Sequence, residues 1–129
     1  MLRILNNPID VVLIVMEHKY PEFAERIDKI AISILENNMS YQIFLNNDDN
    51  FLIFINPRNK DGSTADIEEI SERLARALSN IVSGEDRNGT EYQRVYEELE
   101  EGYEEYLENL QEAIIAREDL MNDDLGIAS

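Results

Sequence analysis

The segment from Glu91 to Asp124 constrains the fold most, because it joins helical periodicity to a large excess of acid. It holds thirteen carboxylates and two bases, a net charge of −11 out of −17 for the whole chain of 129 residues. Residues of one face recur in alternating steps of four and three, as on a helix. They are Tyr92, Tyr96, Leu99, Tyr103, Tyr106, Leu110, Ala113, Arg117 and Leu120. We therefore predict a long acidic C-terminal helix over residues 91–121, followed by a frayed tail over 122–129.

Two short apolar runs before this segment predict a β-hairpin. Residues 41–45 and 51–55 are rich in aromatic and aliphatic side chains, and the five residues between them are all Asn or Asp. This composition is typical of two antiparallel strands joined by a turn. A lone two-stranded hairpin is marginal in water, so we expect helices to cover at least one of its faces.

Other segments carry helix signals. Asn7-Pro8 is a good helix start, but the β-branched run after it leaves residues 9–16 open between a buried strand and a buried helix, of which we favour the helix. Apolar spacing predicts a second helix from Pro21 to about Asn37. A third is predicted between a cap at Ser63 or Thr64 and Gly84, with the stripe Ile67, Ile70, Leu74, Leu78 and Ile81.

The whole chain, residues 1–129, is thus predicted to be a single α+β domain. In this prediction a small two-stranded antiparallel hairpin packs with three to four helices. The apolar fraction of 43 % is sufficient for an ordinary core at this length. The spacing of Thr90 and Gln93 fits a capping box, which would begin the last helix.

The residues that most catalytic and metal sites need are scarce. The chain has no cysteine and a single histidine, His18, so thiol chemistry and histidine-based triads are excluded. There is no glycine-rich phosphate loop, and the Asn46–Asn50 turn lacks the glycine and glutamate of a calcium loop. We therefore predict that the protein is not an enzyme and that it has no metal site and no cofactor.

The charge restricts the class of partner. At −17 the chain is repelled by nucleic acid and by anionic membranes, so we expect neither as a direct partner and expect a basic protein instead. The longest apolar run, over residues 11–16, is far too short to span a bilayer. The expected location is the cytoplasm, or the host cytoplasm if the protein is viral.

Eight carboxylates of the acidic helix are the predicted partner-binding residues. They fall within sixteen residues, roughly 24 Å of helix axis. One charge per roughly 3 Å is close to the phosphate spacing of about 3.4 Å along one DNA strand. Like charges at i,i+4 destabilise the helix by roughly 0.2–0.5 kcal/mol per pair, which a basic partner would relieve. They are Glu97, Glu98, Glu100, Glu101, Glu104, Glu105, Glu108 and Glu112.

Tyrosines border these carboxylates. Tyr96 and Tyr103 are predicted to anchor the partner, because their rings bury apolar area and stack on arginine. The same spacing also fits plain helix packing, and Gly102 between them would permit a close helix crossing. From Ala113 to Arg117 the helix has the composition of a packing segment.

A small, cysteine-free, acidic α+β chain whose β-hairpin is followed by helices, the last rich in Glu and Tyr between Tyr92 and Glu112, resembles phage-encoded DNA-mimic inhibitors, including acidic anti-CRISPR proteins. The resemblance covers roughly residues 40–112. It implies an inhibitor, of anti-CRISPR or anti-restriction type, that occupies the basic nucleic-acid channel of a host nuclease complex. Acidic antitoxins and immunity proteins, which neutralise basic toxins, have similar features.

Three other readings of the acidic helix stay open. Its charge could be an ordinary solvated helix face with no partner. It could be a structural or oligomerisation module whose apolar stripe forms a helical homodimer seam, with Leu99 and Leu110 at its centre. The acidity could also be halophilic adaptation, which the ratio of three lysines to eight arginines fits. A halophilic domain would unfold at low salt.

Overall fold

Helix α1, Pro8–Lys19, confirms the helical alternative for residues 9–16. The computed structural model describes the backbone of residues 7–128 and the side chains of residues 7–112. Asn7 caps α1 as expected, since its Oδ1 accepts a hydrogen bond from the Ile9 amide at 3.0 Å. The helix is apolar on several sides because it packs against both other long helices, and Val11 and Met16 are fully buried.

The prediction of a helix from Pro21 to about Asn37 is wrong. Helix α2, Pro21–Ala24, is a single turn, and strand β1, Ile27–Ile32, follows it. An irregularity in the pairing between Ile27 and Lys29 shifts the alternation of the strand. Ile27 and Ile30 therefore both pack against the core although they are three residues apart. This β-bulge imitates helical spacing in the sequence.

The predicted hairpin is confirmed, but it belongs to a larger sheet than the two strands expected. Strands β2, Tyr41–Leu45, and β3, Phe51–Ile55, pair antiparallel, and β1 pairs parallel to β3, which gives the order β1-β3-β2. In the turn, Asn46 Oδ1 accepts hydrogen bonds from the backbone amides of Asp48 and Asn50.

One face of the sheet points into the core and the other does not. Ile53 and Ile55 of β3 are buried against α3, while Phe44 of the neighbouring strand β2 is 46 % exposed. The sheet is therefore covered by helices on one side.

Helix α3, Ile67–Ser83, begins later than expected. Its cap is Asp66, whose Oδ1 accepts a hydrogen bond from the Glu69 amide at 2.8 Å, and neither Ser63 nor Thr64 has this role. Gly84 ends the helix in a left-handed conformation, as predicted. Of the predicted stripe, Ile67 is exposed, and the members that enter the core are Ile70, Leu74, Leu78 and Ile81.

Helix α4, Thr90–Ala128, is acidic and long, 39 residues or about 58 Å at 1.5 Å per residue. The predicted capping box is wrong, because Thr90 is already helical. Glu85, in the preceding loop, caps instead: its Oε1 accepts from the Glu91 amide at 2.8 Å and from that of Tyr92 at 3.3 Å. The side chains of the proposed packing segment, Ala113 to Arg117, lie outside the described residues, as do Leu120 and the last residue, Ser129.

The core lies where α4 packs on α1 and α3. Val95 and Leu99 of α4 are buried in the same cluster as Val12 of α1 and Leu74 of α3. Helix α4 approaches α1 closely at Gly102, since a Cβ atom placed there would lie 2.6 Å from Val15 Cγ1. This confirms the expected close crossing. The backbone of α4 is thereby held against two other helices.

Candidate protein-interaction surface

The carboxylates predicted to bind a partner lie on the side of α4 that faces solvent. Seven of the eight are exposed: Glu97, Glu100, Glu101, Glu104, Glu105, Glu108 and Glu112. At 100° per residue, four of them fall within a band about 60° wide along the helix. We call these four, Glu97, Glu101, Glu104 and Glu108, the acidic ridge.

The acidic ridge has no ion partner among the side chains that the structure describes. Among the side chains that the structure describes, the salt bridges of α4 are those of Arg94 with Glu91 and Glu98. Both acids precede or flank the ridge, and no described base pairs with a ridge carboxylate. The ridge charges therefore repel one another, and salt in the solvent screens this repulsion.

Glu98 differs from the other predicted binding residues. It is half-buried, pairs with Arg94 at 2.7 Å, and accepts a hydrogen bond from the Tyr20 hydroxyl at the end of α1. Burial, together with this hydrogen bond and the Glu98 charge, raises the pKa of Tyr20 to about 12. Glu98 thus fastens α4 to α1 within the chain.

The tyrosines lie on the packing side of α4. Tyr92 is buried, and its ring stacks parallel to that of Tyr96 with centroids 6.4 Å apart. Tyr96 and Tyr103, the two predicted anchors, are half-buried where α4 faces α3. Tyr106 lies on the other side, in a cleft with His18 of α1. The tyrosine rings therefore pack between α4 and the other helices, and the acidic ridge lies on the opposite face of α4, toward solvent.

A groove of about 480 Å³ runs between α3 and α4. Tyr103 and Leu99 are among the residues that line it, together with four carboxylates. They are Glu68 and Glu72 from α3, and Glu100 and Glu104 from α4. We call it the α3–α4 groove. Glu100 and Glu104 were predicted as binding residues, whereas Glu68 and Glu72 were not, because their proximity to α4 depends on how the two helices pack.

The tyrosine hydroxyls in this groove are close to carboxylates. Burial, with the charges of Glu72 and Glu100, raises the pKa of Tyr96 to about 12. Burial and then the charge of Glu68 raise the pKa of Tyr103. The groove is therefore a region of strongly negative potential.

The seam residue Leu99, proposed for a helical dimer, is already used inside the chain. It is 3 % exposed and belongs to the core. Leu110 is half-buried. A homodimer that used Leu99 would have to separate α4 from α1 and α3.

Within the described part of the chain, no group of three or more His, Asp or Glu side chains is arranged to hold a metal ion. His18 is exposed at the cleft between α1 and α4. None of the helices described here has the length and apolar character that crossing a membrane requires.

Comparison of the chain with protein-family models, with curated proteins and with solved structures finds no match in any of the three. The function has to be inferred from the geometry and charge of the acidic surface.

Proposed function

We propose that this protein is an inhibitor that occupies a basic, nucleic-acid-binding surface of a partner protein by imitating DNA. The observation that carries the proposal is the acidic ridge: four exposed carboxylates in a narrow band, flanked by further glutamates and without described ion partners. A nuclease complex of a host defence system, as inhibited by anti-CRISPR and anti-restriction proteins, is the proposed class of partner. The protein would then act in the host cytoplasm.

The spacing of the charges supports mimicry. The eight glutamates between Glu97 and Glu112 give one charge per roughly 3 Å of helix axis, against about 3.4 Å for one DNA strand. A groove whose lysines and arginines are placed to meet phosphates can therefore meet this helix with similar linear density. Bases of the partner would also remove the like-charge repulsion along α4.

The rigidity of α4 supports the same proposal. The helix is packed on α1 and α3, and at Gly102 its backbone lies against Val15. The backbone positions that carry its charges are therefore fixed before binding, which lowers the entropy lost on association. Inhibition would be steric and electrostatic competition with nucleic acid, without any chemical step.

The test is capture of partners from lysate of the host cell with three immobilised baits. The first is the native protein and the second carries Glu97→Lys, Glu101→Lys, Glu104→Lys and Glu108→Lys. The third is a matched control with the same charge change on exposed acids elsewhere: Glu22→Lys, Glu25→Lys, Glu36→Lys and Asp48→Lys. A true partner should be held by the native and control baits, lose at least about tenfold in affinity for the ridge variant, and be released by salt.

The same partner should also be displaced by duplex DNA, because the proposal requires both to occupy one surface. Retention that is unchanged in the ridge variant would contradict a role for the ridge. Retention that depends on the ridge but resists excess DNA would contradict mimicry and would favour a basic toxin as the target.

A further inference from the structure

We propose that the α3–α4 groove receives an arginine side chain of the basic partner, beside Tyr103. The proposal rests on the proposed function, because it names the chemistry by which the same partner would be gripped. It adds a specific contact to the less specific attraction of the acidic ridge.

The groove combines the two features that a guanidinium group needs. Its lining includes the rings of Tyr96 and Tyr103 and the carboxylates of Glu68, Glu72, Glu100 and Glu104. No Lys or Arg is among its lining residues, all of which the structure describes. Charge complementarity therefore favours a cationic occupant with a flat, partly apolar head group.

The chain itself already binds a guanidinium in this way next to the groove. Arg76 lies with its Cζ 6.0 Å from the ring centroid of Tyr96 and forms a salt bridge with Glu72 at 2.7 Å. The Tyr96 hydroxyl in turn lies 3.4 Å from the same carboxylate. A tyrosine from α4 and a glutamate from α3 thus hold one arginine together.

The same pair of residue types recurs farther along the groove without an arginine. Tyr103 lies two turns after Tyr96 on α4, and Glu68 lies one turn before Glu72 on α3. Glu68 and Tyr103 both line the groove, so they place a second glutamate of α3 and a second tyrosine of α4 on opposite sides of it. The other arginine of α3, Arg73, is directed away, because it donates hydrogen bonds to the backbone oxygens of Asn56 and Arg58.

Arginine fits this second position better than lysine. A guanidinium is planar and can stack on the Tyr103 ring while its N–H groups reach carboxylates on both helices. An ammonium group would meet the carboxylates as a point charge and gain less from the ring. The acidic ridge consists of carboxylates without an aromatic ring, so it should attract arginine and lysine about equally.

The experiment compares two peptides of equal length and charge, one with four arginines and the other with four lysines, each base separated by glycine. We expect the native protein to bind the arginine peptide about threefold more tightly at low salt. In Glu68→Gln with Glu100→Gln, two exposed positions in the groove, both affinities should fall and the preference should approach one. The same loss of preference is expected for Tyr103→Leu, which removes the ring.

The matched control is Glu97→Gln with Glu108→Gln, which removes the same charge from the ridge. It should weaken both peptides equally and keep the preference for arginine. Equal binding of the two peptides by the native protein would overturn the inference, as would a preference that survives in both groove variants.

The two proposals can fail separately. If the captured partner ignores reversal of the ridge, the proposed function fails, whatever the peptides show. If the partner needs the ridge but the peptides show no arginine preference, only the groove inference fails.

Discussion

Helices α3 and α4 differ in how far their acidic side chains are paired with bases. Both bury one apolar face in the same core. On the exposed side of α3, Glu69 and Glu72 pair with Arg73 and Arg76 one turn later. The acidic ridge of α4 has no such pairs among the described side chains. The repulsion along the unpaired ridge is what the proposed basic partner would relieve.

Gly102→Ala tests whether α4 is packed as firmly as α3. Of the changes considered, it is expected to alter the unfolding free energy most. An alanine in a helix interior normally stabilises by about 1 kcal/mol relative to glycine. Here its Cβ would lie 2.6 Å from Val15 Cγ1 and 2.7 Å from Lys19 Cε. The flexible end of Lys19 can move away, but the short Val15 side chain can make room only by changing rotamer or by a shift of α1. We expect a net loss of about 1–3 kcal/mol in unfolding free energy, measured by urea denaturation.

Glu101→Ala is the control, since it changes the neighbouring, exposed residue in the same helix turn. It should leave stability within about 0.5 kcal/mol of the native value. If Gly102→Ala were as stable as the native protein, the close crossing would be absent and α4 would not be held as α3 is.

The sequence predicted those elements whose signals are local. The hairpin was predictable because its two strands and its Asn/Asp turn are adjacent in the chain. Strand β1 was not, because its bulge between Ile27 and Lys29 gives helical spacing and its partner β3 is distant in sequence. The cap of α4 was missed for a similar reason, since Glu85 reaches the Glu91 amide across a loop rather than from the helix start.

The candidate surface divides in the same way. The ridge was predictable, because helical spacing alone puts Glu97, Glu101, Glu104 and Glu108 on one side. The positions of Tyr96 and Tyr103 beneath the ridge, and the approach of Glu68 to Tyr103, follow from the crossing of α3 and α4. A single sequence contains no local signal for that crossing beyond Gly102.

Alkaline pH should also lower the unfolding free energy, through the tyrosines that contact or belong to α4. Tyr20, Tyr92 and Tyr96 have pKa values raised to about 12, chiefly by burial, while the ordinary value is 10.0. Since the unfolded chain loses these protons first, their contribution to stability is complete below pH 10 and is lost as the pH rises through 12. Unfolding free energy measured with urea at a series of pH values should therefore begin to fall above pH 10.

Tyrosinate absorbance provides the direct measurement. We expect at least two phases, with Tyr20, Tyr92 and Tyr96, whose pKa values are raised to about 12, in the later one. Tyr20→Phe should remove one ring from the late phase. Titration of all six tyrosines together near pH 10 would show that α4 is not packed as described.

The smallest expected effect is the change in stability when single glutamates of α3 and α4 are replaced by glutamine, and its sign should differ between the two helices. Glutamine at Glu97, Glu101, Glu104 or Glu108 should stabilise the protein by roughly 0.2–0.5 kcal/mol each at low salt, because it removes repulsion without removing an ion pair. Glutamine at Glu69 or Glu72 should destabilise by a similar amount, because those acids pair with arginine. Both effects should fade at high salt. Thermal unfolding of the six single variants measures them.

If α3 and α4 responded with the same sign, the ridge would be an ordinary solvated face and its need for a partner would disappear. If the native protein unfolded altogether at low salt, halophilic adaptation would explain the acid instead.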